Sequence, residues 1–349
     1  MNPELFLADL EEKPARLAAL AGWLRASDPW AEVDAADSWV FLAMGSSHYA
    51  NQVAAARLRS RGVPAVAELA GSDLLPRVGA GTTVVAVSAS GGSAETLDAV
   101  RRLRAAGDGA RFVALTNRRD SPLAALCDVE VDLAAGDERG GVACRSFQHS
   151  LALLLALEER LTGGEPWSRP RSTADTVEAT AEASAHLLDT RAEWLPDVSA
   201  AALGPQGTHV VAPARRLSSA WQSALMLREG PRLPAVGCET SDWSHVDVYL
   251  TKTTDYRLVL LAGSRWEPEL LDWVGQRGST LVAVGGEVPG AAVTVRYPHD
   301  DLDDVRLLAE TLVVELVAAQ AWRGQPQGEV AGPGVAGGRM PNPPLRRGN

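Results

Sequence analysis

Cysteine is scarce: Cys127, Cys144 and Cys238 are the only three in 349 residues, odd in number and far apart. That excludes a disulfide frame and a zinc site, and fits buried thiols in a reducing compartment. Basic charge is also short, 33 Lys and Arg against 44 Asp and Glu, for a formal net charge of −11. Nucleic acid is therefore not an expected partner, because its phosphates need clustered cations. A small phosphorylated ligand stays open, since one nest of N–H groups outweighs a distant acidic surface. No stretch reaches 18 uninterrupted apolar residues, and Met1-Asn2-Pro3-Glu4 opens with neither a basic region nor a following apolar run. No membrane span or signal peptide is expected, and the chain reads as cytoplasmic. The first strand is not followed by Gly-x-Gly-x-x-Gly, and no Gly-Lys-Ser/Thr occurs, which argues against dinucleotide and P-loop folds. Glu68, at the end of the second strand, could serve a ribose, but the turn a dinucleotide needs is wrong. No cofactor and no metal is expected.

What is present is a globular composition, 46% hydrophobic and 22% charged, on a chain long enough for two domains. Short apolar runs rich in β-branched residues occur at 38–45, 64–69, 82–88, 111–117 and 129–133. Helical candidates lie between them at 47–60, 93–106, 122–126 and 145–161. After Thr162 comes Gly-Gly-Glu-Pro-Trp-Ser-Arg-Pro, a break that reads as a linker, and a long helix at 173–193. The alternation then restarts, with runs at 208–213, 235–238, 257–262, 280–285 and 293–297 and helices near 217–228, 267–276 and 304–322. Runs of this length separated by helices predict an α/β fold of two doubly wound units, each a five-stranded parallel sheet of order 2-1-3-4-5 flanked by helices. The expected division is an N-terminal helical segment (1–30), a first unit (31–164), a linker and helix (165–195), a second unit (196–323) and a flexible tail (324–349). The helix at 4–24 is expected to pack outside the first unit.

Two turns carry the chemistry. The first strand runs into Gly45-Ser46-Ser47, and the third into Ser88-Ala89-Ser90-Gly91-Gly92-Ser93. Each sits where a strand ends and a helix begins, where orphan N–H groups and the helix dipole favour an anion. Small residues let the backbone approach, and hydroxyls add donors. The bland reading is that Ser46, Ser47 and Ser93 are N-caps. Two such turns beside one switch point, one with more small residues than a cap needs, favour phosphate.

With both turns in place the sequence resembles the sugar isomerase (SIS) domain family in tandem form, over residues 1–323. That family includes the isomerase half of glucosamine-6-phosphate synthase and related phosphosugar deaminases and deglycases. Phe6 to Pro14 is similar to the family's N-terminal helix, with Lys-Pro where relatives carry Gln-Pro. Met44-Gly45-Ser46-Ser47 stands for its Gly-Thr-Ser turn, and 88–93 for Ser-Gln-Ser-Gly-Glu-Thr. Asn117, then Ser121-Pro122-Leu123 and Cys127-Asp128, resemble its strand-four turn. Ala135-Gly136-Asp137-Glu138 with Gly141-Val142-Ala143 resembles Ala-Gly-x-Glu-x-Gly-Val-Ala with one residue inserted. The resemblance implies a phosphate held by Ser47, Ser88, Ser90 and Ser93 with Gly45 and Ser46. The N–H groups of Ala89 and Gly91 would help, and the Val142 backbone would meet the sugar. It also implies that no glutaminase domain is present to supply ammonia.

Aldose–ketose isomerisation needs a ring opener, a base that moves a proton between C1 and C2, and a group that stabilises the enediol oxygen. The helix ending Met226-Leu227-Arg228-Glu229 resembles the family's Ala-Leu-Lys-Leu-Lys-Glu, which puts Glu229 on the base. A Glu in the last turn of a helix opposes the dipole, which gives a functional reason weight. His245, in Thr240-Ser241-Asp242-Trp243-Ser244-His245, falls on the ring-opening histidine. That role implies a homodimer with His245 reaching across the interface. His48 directly follows the first turn and could touch ligand. Met226 stands where relatives carry a lysine, Val246-Asp247 replaces Gly-Pro, and the tail holds no lysine. Aldose–ketose isomerisation and amino-sugar-phosphate deamination both fit. The competing reading is a non-catalytic regulator that binds a sugar phosphate.

Overall fold

The structure, a computed structural model, describes residues 1–107, 109–163 and 172–325. The first half holds α1 (Pro3–Glu11), α2 (Lys13–Ala26), β1 (Ser38–Ala43), α3 (Gly45–Ser60), β2 (Ala65–Leu69), β3 (Thr82–Val87), α4 (Ala94–Ala106), β4 (Arg111–Thr116), β5 (Val129–Asp132) and α5 (Arg145–Thr162). The second holds α6 (Thr173–Asp189), α7 (Arg191–Ala202), β6 (Thr208–Ala212), α8 (Leu217–Glu229), β7 (Ala235–Glu239), α9 (Thr240–Trp243), β8 (Arg257–Leu261), α10 (Glu267–Arg277), β9 (Thr280–Val284), β10 (Val293–Val295), α11 (Asp303–Ala309) and α12 (Thr311–Arg323). Of the expected linker, 165–171 lies outside the described residues, as does the tail from 326 onward.

Both sheets are parallel and five-stranded. The first runs β2-β1-β3-β4-β5; the second, β10-β9-β8-β6-β7, is the same order read from its other edge. Alternate side chains of the first sheet fill two cores: Trp39, Phe41, Val85 and Val113 on one face, Val40, Leu42, Val84 and Phe112 on the other. Burial on both faces is why the strands read as continuous apolar runs.

Four helices differ from the sequence reading. The segment at 4–24 breaks at Glu12 because Pro14 falls in the first turn of α2 and has no N–H to continue α1. Its first part, α1, docks on the second unit's last helix, with Phe6 6.0 Å from the Trp322 ring and Arg323 paired to Glu4 at 2.8 Å. The helix read at 173–193 is α6 followed by α7, and that at 304–322 is α11 followed by α12. The segment at 122–126 forms only a 3-10 turn, Ala124–Leu126.

Between the units α3 lies on α8. Tyr49 meets Trp221 at 5.5 Å between ring centroids, while Ala56 and Arg59 share a groove with Ala214 and Leu217. Residues rising along α3 thus meet residues falling along α8, so the helices are antiparallel. The first turn of α3 faces the end of α8 that carries Glu229. Buried ion pairs tie the seam: Arg57 of α3 donates to Glu158 of α5 (2.5 Å) and Asp304 of α11 (2.8 Å). Lys13 pairs with Glu315, both fully buried.

Candidate active site

Gly45 takes φ +53°, a left-handed conformation that turns the chain from β1 into α3 and that a side chain would strain. Ser46 and Ser47 therefore sit inside the first turn of α3, Ser46 buried and Ser47 half-buried, where the helix presents unpaired N–H groups. His48 is turned inward. Its Nε2 lies 2.6 Å from the Gln52 amide, and burial pushes its pKa down.

The second turn is tighter. Gly91 has φ +62°, and a Cβ there would stand 2.2 Å from Ser121 Oγ. The Gly91 N–H, expected on the phosphate, instead donates to the Ser88 carbonyl at 2.9 Å and closes the turn. The N–H groups of Ala89 and Ser90 have no partner among the described residues. Ser90 is exposed and accepts only from Gly92 N (3.3 Å); Ser88 is buried at the strand end. Ser93 is the N-cap of α4, accepting from Thr96 N (3.3 Å) and Thr96 Oγ1 (3.1 Å). The cap reading thus holds for Ser93, while Ser90 has a hydroxyl proton to offer.

From this turn a chain of contacts leads to α8. Asn117 N donates to Ala89 O (3.1 Å), and the Asn117 side chain holds Gly136 O (2.6 Å) and Ala135 N (2.9 Å). The loop beginning there carries Glu138 and Val142. Val142 is buried beneath α1, with Gly140 N held by Asp9 (2.6 Å). Its last residues reach α8, where Gln222 Nε2 donates to Ala143 O at 2.8 Å. Seven residues on, along the same face of the helix, comes Glu229. Burial pushes the Glu229 carboxyl above its ordinary range; Arg228 pulls it back, and Glu138 pushes it further up. Glu138 and Gln222 were not singled out as site residues in the sequence. Their hydrogen bonds reveal their place, Glu138 with the start of α5 and Gln222 across 79 residues with Ala143.

His245 is not brought to Glu229 within one chain. The segment after β7 covers one face of the second sheet, where Trp243, Val248 and Tyr256 pack on Cys238, Leu258 and Leu260. Helix α8 covers the opposite face, with Ala220 and Ala224 against Val210, Ala212, Val259 and Leu261. Asp247 anchors the segment, accepting from His209 Nδ1 (3.1 Å) and Tyr256 OH (3.4 Å). His245 itself is exposed, next to exposed Val246, Tyr249 and Leu250.

The second unit's corresponding turns are filled from within. After β8, the Glu267 carboxylate accepts from Gly263 N and from Ser264 N (2.7 Å). Arg215 donates to Gly263 O (2.8 Å), Arg306 to Ala262 O (3.1 Å), and buried Arg216 reaches Ala262 O as well as Glu310.

Residues 34–160 match the SIS domain family. Over 232 residues the chain is 28% identical to the glutamine–fructose-6-phosphate aminotransferase (isomerizing) of Aeropyrum pernix, a match covering 64% of this chain and 35% of that protein. The chain thus spans about a third of that relative's length. The C-terminal domain of glucosamine-fructose-6-phosphate aminotransferase from Francisella tularensis superposes with a TM-score of 0.75 at 17% identity, over 91% of this chain and 96% of that one. Tagatose-6-phosphate ketose/aldose isomerase from Escherichia coli does so with a TM-score of 0.74 at 14% identity, over 91% and 93%. At these identities the likeness to the solved structures is one of fold. The matched residues hold both hydroxyl-rich turns, so the first unit is similar to the SIS (sugar isomerase) domain family, and the second unit repeats its sheet order.

Proposed function

We propose that the protein is a cytoplasmic phosphosugar enzyme that moves a proton between C1 and C2 of its substrate, by aldose–ketose isomerisation or by amino-sugar-phosphate deamination. The 88–93 turn and the first turn of α3 grip the phosphate through Ser47, Ser88, Ser90 and the open N–H groups of Ala89 and Ser90. The Val142 backbone lies against the sugar, and Glu229 shuttles the proton. One observation carries the reading: Asn117, Ala143 and Gln222 link the 88–93 turn to α8, whose last residue is a carboxyl that burial raises towards neutrality. A base tuned upward in this way takes and returns a carbon-bound proton better than an ordinary glutamate.

His245 opens the sugar ring in this scheme, and comes from a second copy of the chain. Its exposure beside Val246, Tyr249 and Leu250, on the far face of the sheet from Glu229, supports delivery across a homodimer.

The same separation favours a second reading, a regulator that binds a sugar phosphate without turnover, should the chain stay monomeric. A panel of hexose 6-phosphates and their 2-amino forms, assayed for ketose formation and ammonia release, tests the choice. Neither product, with a sugar phosphate still raising Tm, establishes the regulator.

A further inference from the structure

The loop from Ala135 to Ala143 joins the two parts of the proposed site. Its start is tied to the 88–93 turn through Asn117, which bonds Ala89 O (3.1 Å), Ala135 N (2.9 Å) and Gly136 O (2.6 Å). Its end is tied to α8 by Gln222 on Ala143 O. Between those ends the loop is held by α1. Asp9 Oδ2 accepts from Gly140 N at 2.6 Å, and Gly140 O accepts from Asn2 N, just before α1, at 3.1 Å. Gly140 lies so close to the helix that a Cβ would stand 2.5 Å from Phe6 Cα. Asp9 is fully buried, and Arg145, paired with it at 3.3 Å, offsets the cost of a charge there. The same Arg145 donates to Asp137 O, so helix, loop and guanidinium form one clasp.

The two residues beyond the clasp are different. The N–H and C=O groups of Gly141 and Val142 have no partner among the described residues, although the Val142 side chain is buried in one core with Phe6 and Leu10. Backbone groups beside a buried side chain are seldom left so. Each N–H with its neighbouring C=O matches a hydroxyl, which both donates and accepts. We propose that Asp9 is a positioning residue for the sugar: from α1 it fixes Gly140, and so sets the unpaired groups of Gly141 and Val142 at the sugar hydroxyls. The inference rests on the reading that the Val142 backbone lies against the sugar while the 88–93 turn takes the phosphate. Asp9 acts on the hydroxyl-bearing part of the ligand alone, and only through Gly140.

Calorimetry on the full chain with two probes tests this: inorganic phosphate, and the hexose 6-phosphate that raises Tm most. Asp9→Ala removes the acceptor, and Gly140→Ala drives the loop off α1. Each should weaken the hexose 6-phosphate roughly tenfold and leave inorganic phosphate within about twofold, while Asp9→Asn, which keeps an acceptor for Gly140 N, recovers most of the loss. A merely structural role would weaken both probes alike, and that result overturns the proposal. So does a preference for the hexose 6-phosphate that neither variant narrows. If the unaltered chain binds the hexose 6-phosphate no more tightly than inorganic phosphate, the reading of a sugar contact fails first, and the proposal with it. Should Asp9→Ala not fold, the 15N-labelled Val142 amide of the unaltered chain still decides. Its shift should move with the hexose 6-phosphate and not with inorganic phosphate; an amide that neither probe moves overturns the proposal.

Discussion

The turn after β3 and the turn after β8 occupy the same place in two copies of one fold, and they have been put to opposite uses. The first keeps its polarity unspent: Ser90 is exposed, and the N–H groups of Ala89 and Ser90 are open. In the second, Glu267 supplies the anion from within, and Arg215, Arg216 and Arg306 hold the carbonyls of Ala262 and Gly263. The donors named there already have acceptors of the chain's own. A repeated fold therefore does not repeat a site. What decides is whether the groups at a strand's end leave a valence over for a ligand.

That contrast can be broken in several ways. The largest effect is expected at the open end. Glu229→Gln lowers turnover by about 10²- to 10⁴-fold while a sugar phosphate still raises Tm; full activity would remove Glu229 as the base. At the filled end Arg216→Met leaves Glu310 buried without its partner and costs about 3–5 kcal/mol, read as a fall in denaturation midpoint. Ligand affinity of the folded fraction should not change, and a loss of affinity would mean that the turn after β8 takes part in binding. Ser90→Ala removes a hydroxyl from the anion and weakens sugar-phosphate binding by roughly tenfold by calorimetry. Ser264→Ala, its counterpart, leaves binding alone, and equal losses from the two would dissolve the distinction. The smallest effect is that of Glu267→Gln, which loosens the turn after β8 by about 1 kcal/mol. Its calorimetric stoichiometry should stay at one sugar phosphate per chain; a second equivalent would show that Glu267 keeps a working site closed.

Much of the frame was legible because it is local. Strands such as Trp39 to Ala43 and Thr82 to Val87 announce themselves through β-branched runs, and turn glycines and serines mark their ends. The break at Glu12 was within reach, since Pro14 stands two residues on, yet the apolar periodicity on either side concealed it. The site was legible in part. Both turns could be read from their residue types, but that the Gly91 N–H is spent on Ser88 depends on backbone geometry. What could not be read depends on how the chain folds back: Gln222 with Ala143 across 79 residues, and, within single turns, Glu138 with the start of α5 and Glu267 with Gly263. The placing of Glu229 and His245 on opposite faces of the second sheet is of the same kind, because periodicity shows that a strand is covered, not which element covers which side.

The antiparallel seating of α3 on α8 makes the two units the jaws of a calliper. One jaw carries the hydroxyl turns and the other carries Glu229, with Tyr49 packed against Trp221 between them. The opening between them is a length, and a sugar phosphate is a chain of fixed length between its phosphorus and its first two carbons. Sliding α8 by a single residue would carry Glu229 about 1.5 Å, roughly one carbon–carbon bond. On the proposed function, selection between a substrate and its homologue one carbon shorter would lie in the packing of two helices, remote from any atom that reacts.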